Sequence, residues 1–151
     1  MNCLICSKWK CDNAEHLLDS VAKYYIKCRD GWCCAYCTAG FPVDSKTLTW
    51  SHFHRVSHQA TRHDEENLDA FCQWCHVRLE SKKSEGDEYW EWKKKQLGGD
   101  KFFALGERAR SIVKVYDTER LEKVGTFIHK VKLLGYDTKD FNERLALHLI
   151  K

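Results

Sequence analysis

The apolar positions change their period along the chain, and each change marks a different element. Leu17, Val21, Tyr24 and Cys28 recur at the spacing of one helical face and stop at Gly31. Asp12-Asn13-Ala14-Glu15 precedes them as a capping box, so an amphipathic first helix is predicted. After a loop holding Gly40 and Pro42, Thr47-Leu48-Thr49-Trp50-Ser51-His52-Phe53 is rich in β-branched and aromatic residues and predicts a strand. Arg55 to Asp69 is polar without a period, as a loop would be, and Phe71 to Glu80 returns to an ordered turn running into a helix. Beyond Gly86 the pattern is helical. One stripe carries Phe102, Leu105, Ala109, Ile112 and Tyr116, the next Leu121, Val124, Ile128 and Val131, and a last short helix carries Phe141, Leu145 and Leu149. Gly98-Gly99 and Gly135 punctuate these helices, and no internal repeat or low-complexity stretch interrupts them.

With 151 residues, 43% apolar and 31% charged, the chain has the composition of an ordinary globular protein, and with these elements one compact α+β domain with helical appendages is expected. The formal charge of +3 leans toward an anionic partner, but Lys and Arg are interspersed with Asp and Glu, so charge alone does not specify nucleic acid. The first residues lack the apolar core of a signal peptide and no apolar run is long enough to span a bilayer. A cytoplasmic protein with no membrane partner is therefore expected. Nine cysteines are many for a reducing compartment, and their odd number argues against a closed disulfide framework.

Metal ligation explains most of them. Cys34-Ala35-Tyr36-Cys37 and Cys72-Gln73-Trp74-Cys75 are two Cys-x-x-Cys pairs, and four soft thiolates close a tetrahedral shell around a structural zinc. A redox dithiol or buried free thiols are the competing readings. Cys3, Cys6 and Cys11, with His16, are candidates for a second zinc site, in which Cys28 or Cys33 are alternative ligands. Strand, loop, knuckle and helix follow in the order of a treble-clef-like ββα-metal core, predicted over residues 31–84. A cysteine-containing segment and helix (1–30) precede it, and a helical extension (85–151) follows.

Five histidines, His52, His54, His58, His63 and His76, cluster between Trp50 and Val77. His52 sits on the predicted strand, where an imidazole with the ordinary pKa of about 6.5 suits a general base near neutral pH. His76 directly follows the fourth cysteine, so the knuckle fixes its direction and it can present a nitrogen to a catalytic cation. Asn67 lies in the loop between them, with an amide suited to pinning that loop through backbone hydrogen bonds. A base and a cation are the parts that phosphodiester hydrolysis requires.

At these residues the sequence resembles the HNH endonucleases, and within them the phage NinG (Rap) recombination endonucleases. The resemblance is carried by Arg29-Asp30-Gly31-Trp32 with the first Cys pair, Ser51-His52-Phe53, Ala60-Thr61-Arg62 with Asp64 and Asn67, and Cys72-x-x-Cys75-His76. It implies a ββα-metal fold and a Mg²⁺- or Mn²⁺-dependent DNA endonuclease, selective for branched or recombination-intermediate DNA. It also implies His52 as general base, Asn67 as the central asparagine and His76 as the last metal-binding position. Many HNH proteins carry an acidic residue or histidine where this chain has Ser51, so the catalytic shell is expected to draw on Ser51, His54 or water beside His76. Arg55, Arg62 and Arg78 flank the site as candidate phosphate contacts, and Lys93-Lys94-Lys95 follows Tyr89, Trp90 and Trp92 as a further DNA-binding candidate. The C-terminal stripes are candidates for a homodimer interface. A phage-encoded protein of this kind would act in the host cytoplasm. A zinc-stabilised DNA-binding module without catalysis is the competing function.

Overall fold

The computed structural model describes residues 13–150. In chain order the elements are α1 (Ala14–Arg29), β1 (Leu48–His52), β2 (Leu68–Cys72), α2 (Gln73–Glu80), α3 (Glu88–Leu97), α4 (Gly99–Arg110), α5 (Asp117–Leu133) and α6 (Lys139–Leu149). They divide into two compact units, one of Asp30–Lys114 and one of the helices on either side of that segment.

The helical unit is built on α1. Asn13 Oδ1 accepts from the Glu15 backbone N–H at 2.8 Å at its start, while Asp12 of the predicted capping box lies outside the described residues. Leu17, Leu18, Val21, Ala22 and Ile26 are fully buried along one side, and Val124, Phe127, Ile128 and Val131 of α5 are buried with them. Arg120 of α5 donates to Glu15 at 3.0 Å, and Tyr24 of α1 meets Phe141 of α6 with ring centroids 5.5 Å apart.

In the Asp30–Lys114 unit, β1 and β2 form a two-stranded antiparallel sheet in which Ser51 faces Asp69 and His52 faces Leu68. Side chains alternate across a sheet, so Ser51 with Asp69 and His52 with Leu68 lie on opposite faces. The Ser51 face is buried under α3. Asp69 accepts from Lys93 Nζ at 2.8 and 2.9 Å and from the Tyr89 hydroxyl at 3.0 Å, and Tyr89 also donates to Ser51 Oγ at 3.4 Å. Two sequence expectations are corrected here. Lys93 is 1% exposed, its ammonium consumed by a buried carboxylate, so it is no phosphate contact. Ser51 is also buried, on the face away from His52, so it does not belong to a catalytic metal shell.

Helix α4 buries Leu105 and Ala109, and its Arg108 binds the loop before β2, donating to Asp64 and Glu66 at 2.7 Å each. Helices α3 and α4 thus belong with the sheet, and the boundary expected at residue 84 falls inside this unit. The stripe that was to run from Phe102 to Tyr116 stops at Arg110, because Ser111-Ile112-Val113-Lys114-Val115 is rich in β-branched residues that disfavour helix, and Ile112 is exposed. Strand β2 falls partly where a loop was expected. Its Leu68-Asp69-Ala70-Phe71 is buried throughout and shows no alternation to read.

Candidate active site

The first knuckle follows a reversal of the chain through Gly31 and Trp32, with φ of 62° and 57°. The Ala35 N–H donates to the Ala70 carbonyl at 2.7 Å, and Asp30 Oδ2 accepts from the Ala70 N–H at 2.9 Å, so this knuckle is docked on β2. Strand β2 then delivers Cys72, whose sulfur accepts from the Cys75 N–H at 3.4 Å at the start of α2.

These turns gather Cys34, Cys37, Cys72 and Cys75 so that their sulfurs lie within 4.8 Å of one another. Zinc–thiolate bonds of about 2.3 Å require tetrahedral sulfur separations of about 3.8 Å. Cys37 and Cys72 lie 3.8 Å apart. Burial and the neighbouring sulfurs push the Cys75 thiol up, so a bound cation is what would hold Cys75 as a thiolate. Zinc fits this donor set, and four sulfurs leave no position for substrate. Cys3, Cys6 and Cys11 of the proposed second zinc lie outside the described residues, and His16 lies half-buried on α1.

His52 ends β1 with its ring edge against Trp50, centroids 4.5 Å apart, and its Nε2 is 3.0 Å from the Arg62 carbonyl. A carbonyl only accepts, so Nε2 carries a proton, and in the neutral tautomer the lone pair falls on Nδ1. The loop that supplies this carbonyl is held by Asn67. Its buried amide accepts from the His54 N–H at 2.6 Å and donates to the carbonyls of His54 at 3.1 Å and Thr61 at 2.9 Å. His58 Nδ1 donates to the Ala109 carbonyl at 2.9 Å, which ties the same loop to α4. His54 is pushed down to about 4, first by burial and then by His58 and Lys83, so its imidazole is neutral near pH 7.

On α2, His76 Nε2 lies 3.5 Å from Glu80 Oε2, one turn on. Lys83 joins this pair to β1, donating to the His52 carbonyl at 2.6 Å and to Glu80 Oε1 at 2.7 Å. Sequence reasoning missed both Glu80 and Lys83. The four-residue interval from His76 to Glu80 on a predicted helix was the available signal for the first; nothing in the sequence pointed to the second.

The cationic candidates differ in setting. Arg55 is exposed, as are Lys94 and Lys95, whereas Arg62 is half-buried and lends its carbonyl to His52. Arg78 stacks over Trp74 and Tyr36 and pairs with Glu88 at 2.8 Å.

Residues 34–82 match the family model described as HNH endonuclease. That span runs from the first zinc cysteine past Glu80, taking in both strands and α2. No curated protein and no solved structure matches the chain. Among the described residues no helix is long and apolar enough to cross a membrane.

Proposed function

We propose that this chain is a zinc-stabilised, divalent-metal-dependent endonuclease that hydrolyses phosphodiester bonds in DNA. The observation that carries the reading is the constellation of His52, oriented by the Arg62 carbonyl, with the His76–Glu80 pair, linked to it through Lys83. The HNH match over the same segment agrees with it.

His52 Nδ1 takes the proton of a water molecule, which attacks the phosphorus; the bond to the leaving oxygen then breaks. Asn67 holds the loop whose carbonyl fixes the His52 tautomer. His76 and Glu80 would hold the catalytic Mg²⁺ or Mn²⁺, and the donor set fits, since neighbouring ligands of an octahedral ion at about 2.1 Å lie about 3 Å apart. The bound ion would neutralise charge on the scissile phosphate and the leaving oxygen. Among the described residues the only group of three or more metal-ligating side chains is the cysteine cluster; His54 does not join His76 and Glu80, so water and phosphate would complete this second shell. Arg55, Arg62, Arg78, Lys94 and Lys95 are the proposed DNA-contacting residues.

Branched or recombination-intermediate DNA is the proposed substrate class, on the resemblance to NinG proteins. The sparse protein ligation favours one competing reading, a zinc-held DNA-binding module without catalysis. Incubation of purified protein with linear, nicked, forked and four-way DNA in Mg²⁺ or Mn²⁺ separates the two. Cleavage of at least one substrate is expected, and a panel left wholly intact would leave only the binding module.

A further inference from the structure

Helix α2 carries more than the catalytic pair on its outer side. At about 100° per residue, with Cys75 and Leu79 turned into the core, the remaining positions follow one another around the helix as His76, Glu80, Gln73, Val77, Trp74 and Arg78. Trp74 is 65% exposed and Val77 72% exposed. The strip therefore runs from the proposed metal ligands on one flank of the helix to the Trp74 indole and Arg78 on the other.

That indole is braced rather than loose. The Arg78 guanidinium lies 4.6 Å from the Trp74 ring centroid and 5.2 Å from that of Tyr36, and it is anchored by Glu88, which also accepts from the Tyr36 hydroxyl. One face of Trp74 is covered by a cation that is itself fixed, and the ring stays largely open to solvent. Ordering the ring in advance reduces the entropy lost when a planar ligand stacks on it.

We propose that Trp74 is a stacking platform for one unpaired base of a DNA strand that crosses the outer side of α2 from the His76–Glu80 pair, which makes a fork, flap or junction the preferred substrate. This inference rests on the endonuclease reading and adds a substrate determinant to it. A base inside a continuous duplex is stacked on both sides, so an indole reaches a base face only where pairing has ended or the base has left the stack. The setting favours nucleic acid over a protein partner. The Arg78 guanidinium already lies over the indole, and two exposed apolar side chains fall far short of the roughly 800 Å² per partner of a stable protein interface.

The test uses the full chain with zinc bound, in Ca²⁺ so that binding is read without turnover. The probe is a forked duplex carrying 2-aminopurine as its first unpaired base, compared with the same sequence fully paired. Wild-type protein should quench the forked probe and prefer it. Trp74→Ala should lose the quench and bind the fork about 5- to 100-fold more weakly, the loss expected of one base–aromatic stack. Trp74→Phe should recover most of both, and affinity for the paired duplex should change by less than about twofold. Zinc content and circular dichroism matching wild type show that the variants are folded. Equal losses on fork and duplex, or a quench that survives Trp74→Ala, would overturn the proposal. Should the wild-type chain cut no DNA in Mg²⁺ or Mn²⁺ while the quench follows Trp74, the endonuclease reading fails and the stacking site stands.

Discussion

Asn67 shows how much depends on a single amide. It is fully buried and makes three hydrogen bonds to the backbone of the loop between the strands. Asn67→Ala strands those backbone groups, each at about 1–3 kcal/mol when buried without a partner, so a clear loss of stability in urea is expected with a fall in cleavage rate. A variant as stable and as active as wild type would remove Asn67 from its positioning role. His54 offers a test through pH. Its pKa of about 4 in the folded chain lies below the ordinary 6.5, so the unfolded chain binds its proton first as pH falls. The contribution from this group is fully present above about pH 6.5 and is lost between there and about pH 4. His54→Gln should flatten the fall in stability through that window, and an unchanged slope would contradict the assignment. The cysteine cluster was legible because two Cys-x-x-Cys pairs leave few other readings, and the histidines and Asn67 of the candidate site were read from their order around it. Their partners were not, since Arg62 contributes a backbone carbonyl, which no sequence pattern encodes.

Among the elements, the contact between α3 and the sheet departs furthest from expectation. Lys93 belongs to a run of three lysines that reads as one solvated, phosphate-facing stretch, yet the helix turns only Lys94 and Lys95 outward. Asp69 explains the exception, because a buried carboxylate on β2 requires a cation and hydrogen-bond donors, which Lys93 and Tyr89 supply. Lys93→Ala should cost about 3–5 kcal/mol by leaving Asp69 buried and unpaired. Lys93→Met with Asp69→Leu should recover much of that loss, and calorimetry of the single and double variants decides the matter. If Lys93→Ala melts like wild type, the pair does not hold α3 to the strand. The strand carrying His52 was readable from its β-branched and aromatic run, whereas β2 was read partly as loop because both its neighbours and its charged Asp69 hide the alternation.

For the whole molecule, the division at Asp30 and Lys114 places the four-cysteine cluster, the sheet, α2, α3 and α4 in one unit. A fragment of residues 30–114 should bind one zinc and unfold cooperatively, whereas one ending at residue 84 should not, because it lacks Tyr89, Lys93 and Arg108. Equal folding of the two fragments, read by zinc content and thermal melting, would contradict this division. The sequence located the cysteine core but not its far edge, since helical stripes after Gly86 do not reveal which face they pack against. Cleavage itself is tested most directly by His52→Ala, compared with wild type for cutting of a forked DNA in Mg²⁺ and for affinity to the same DNA in Ca²⁺. The expected result is loss of cutting with affinity retained; cutting at the wild-type rate, or cutting and affinity lost in proportion, would show that His52 is not the base.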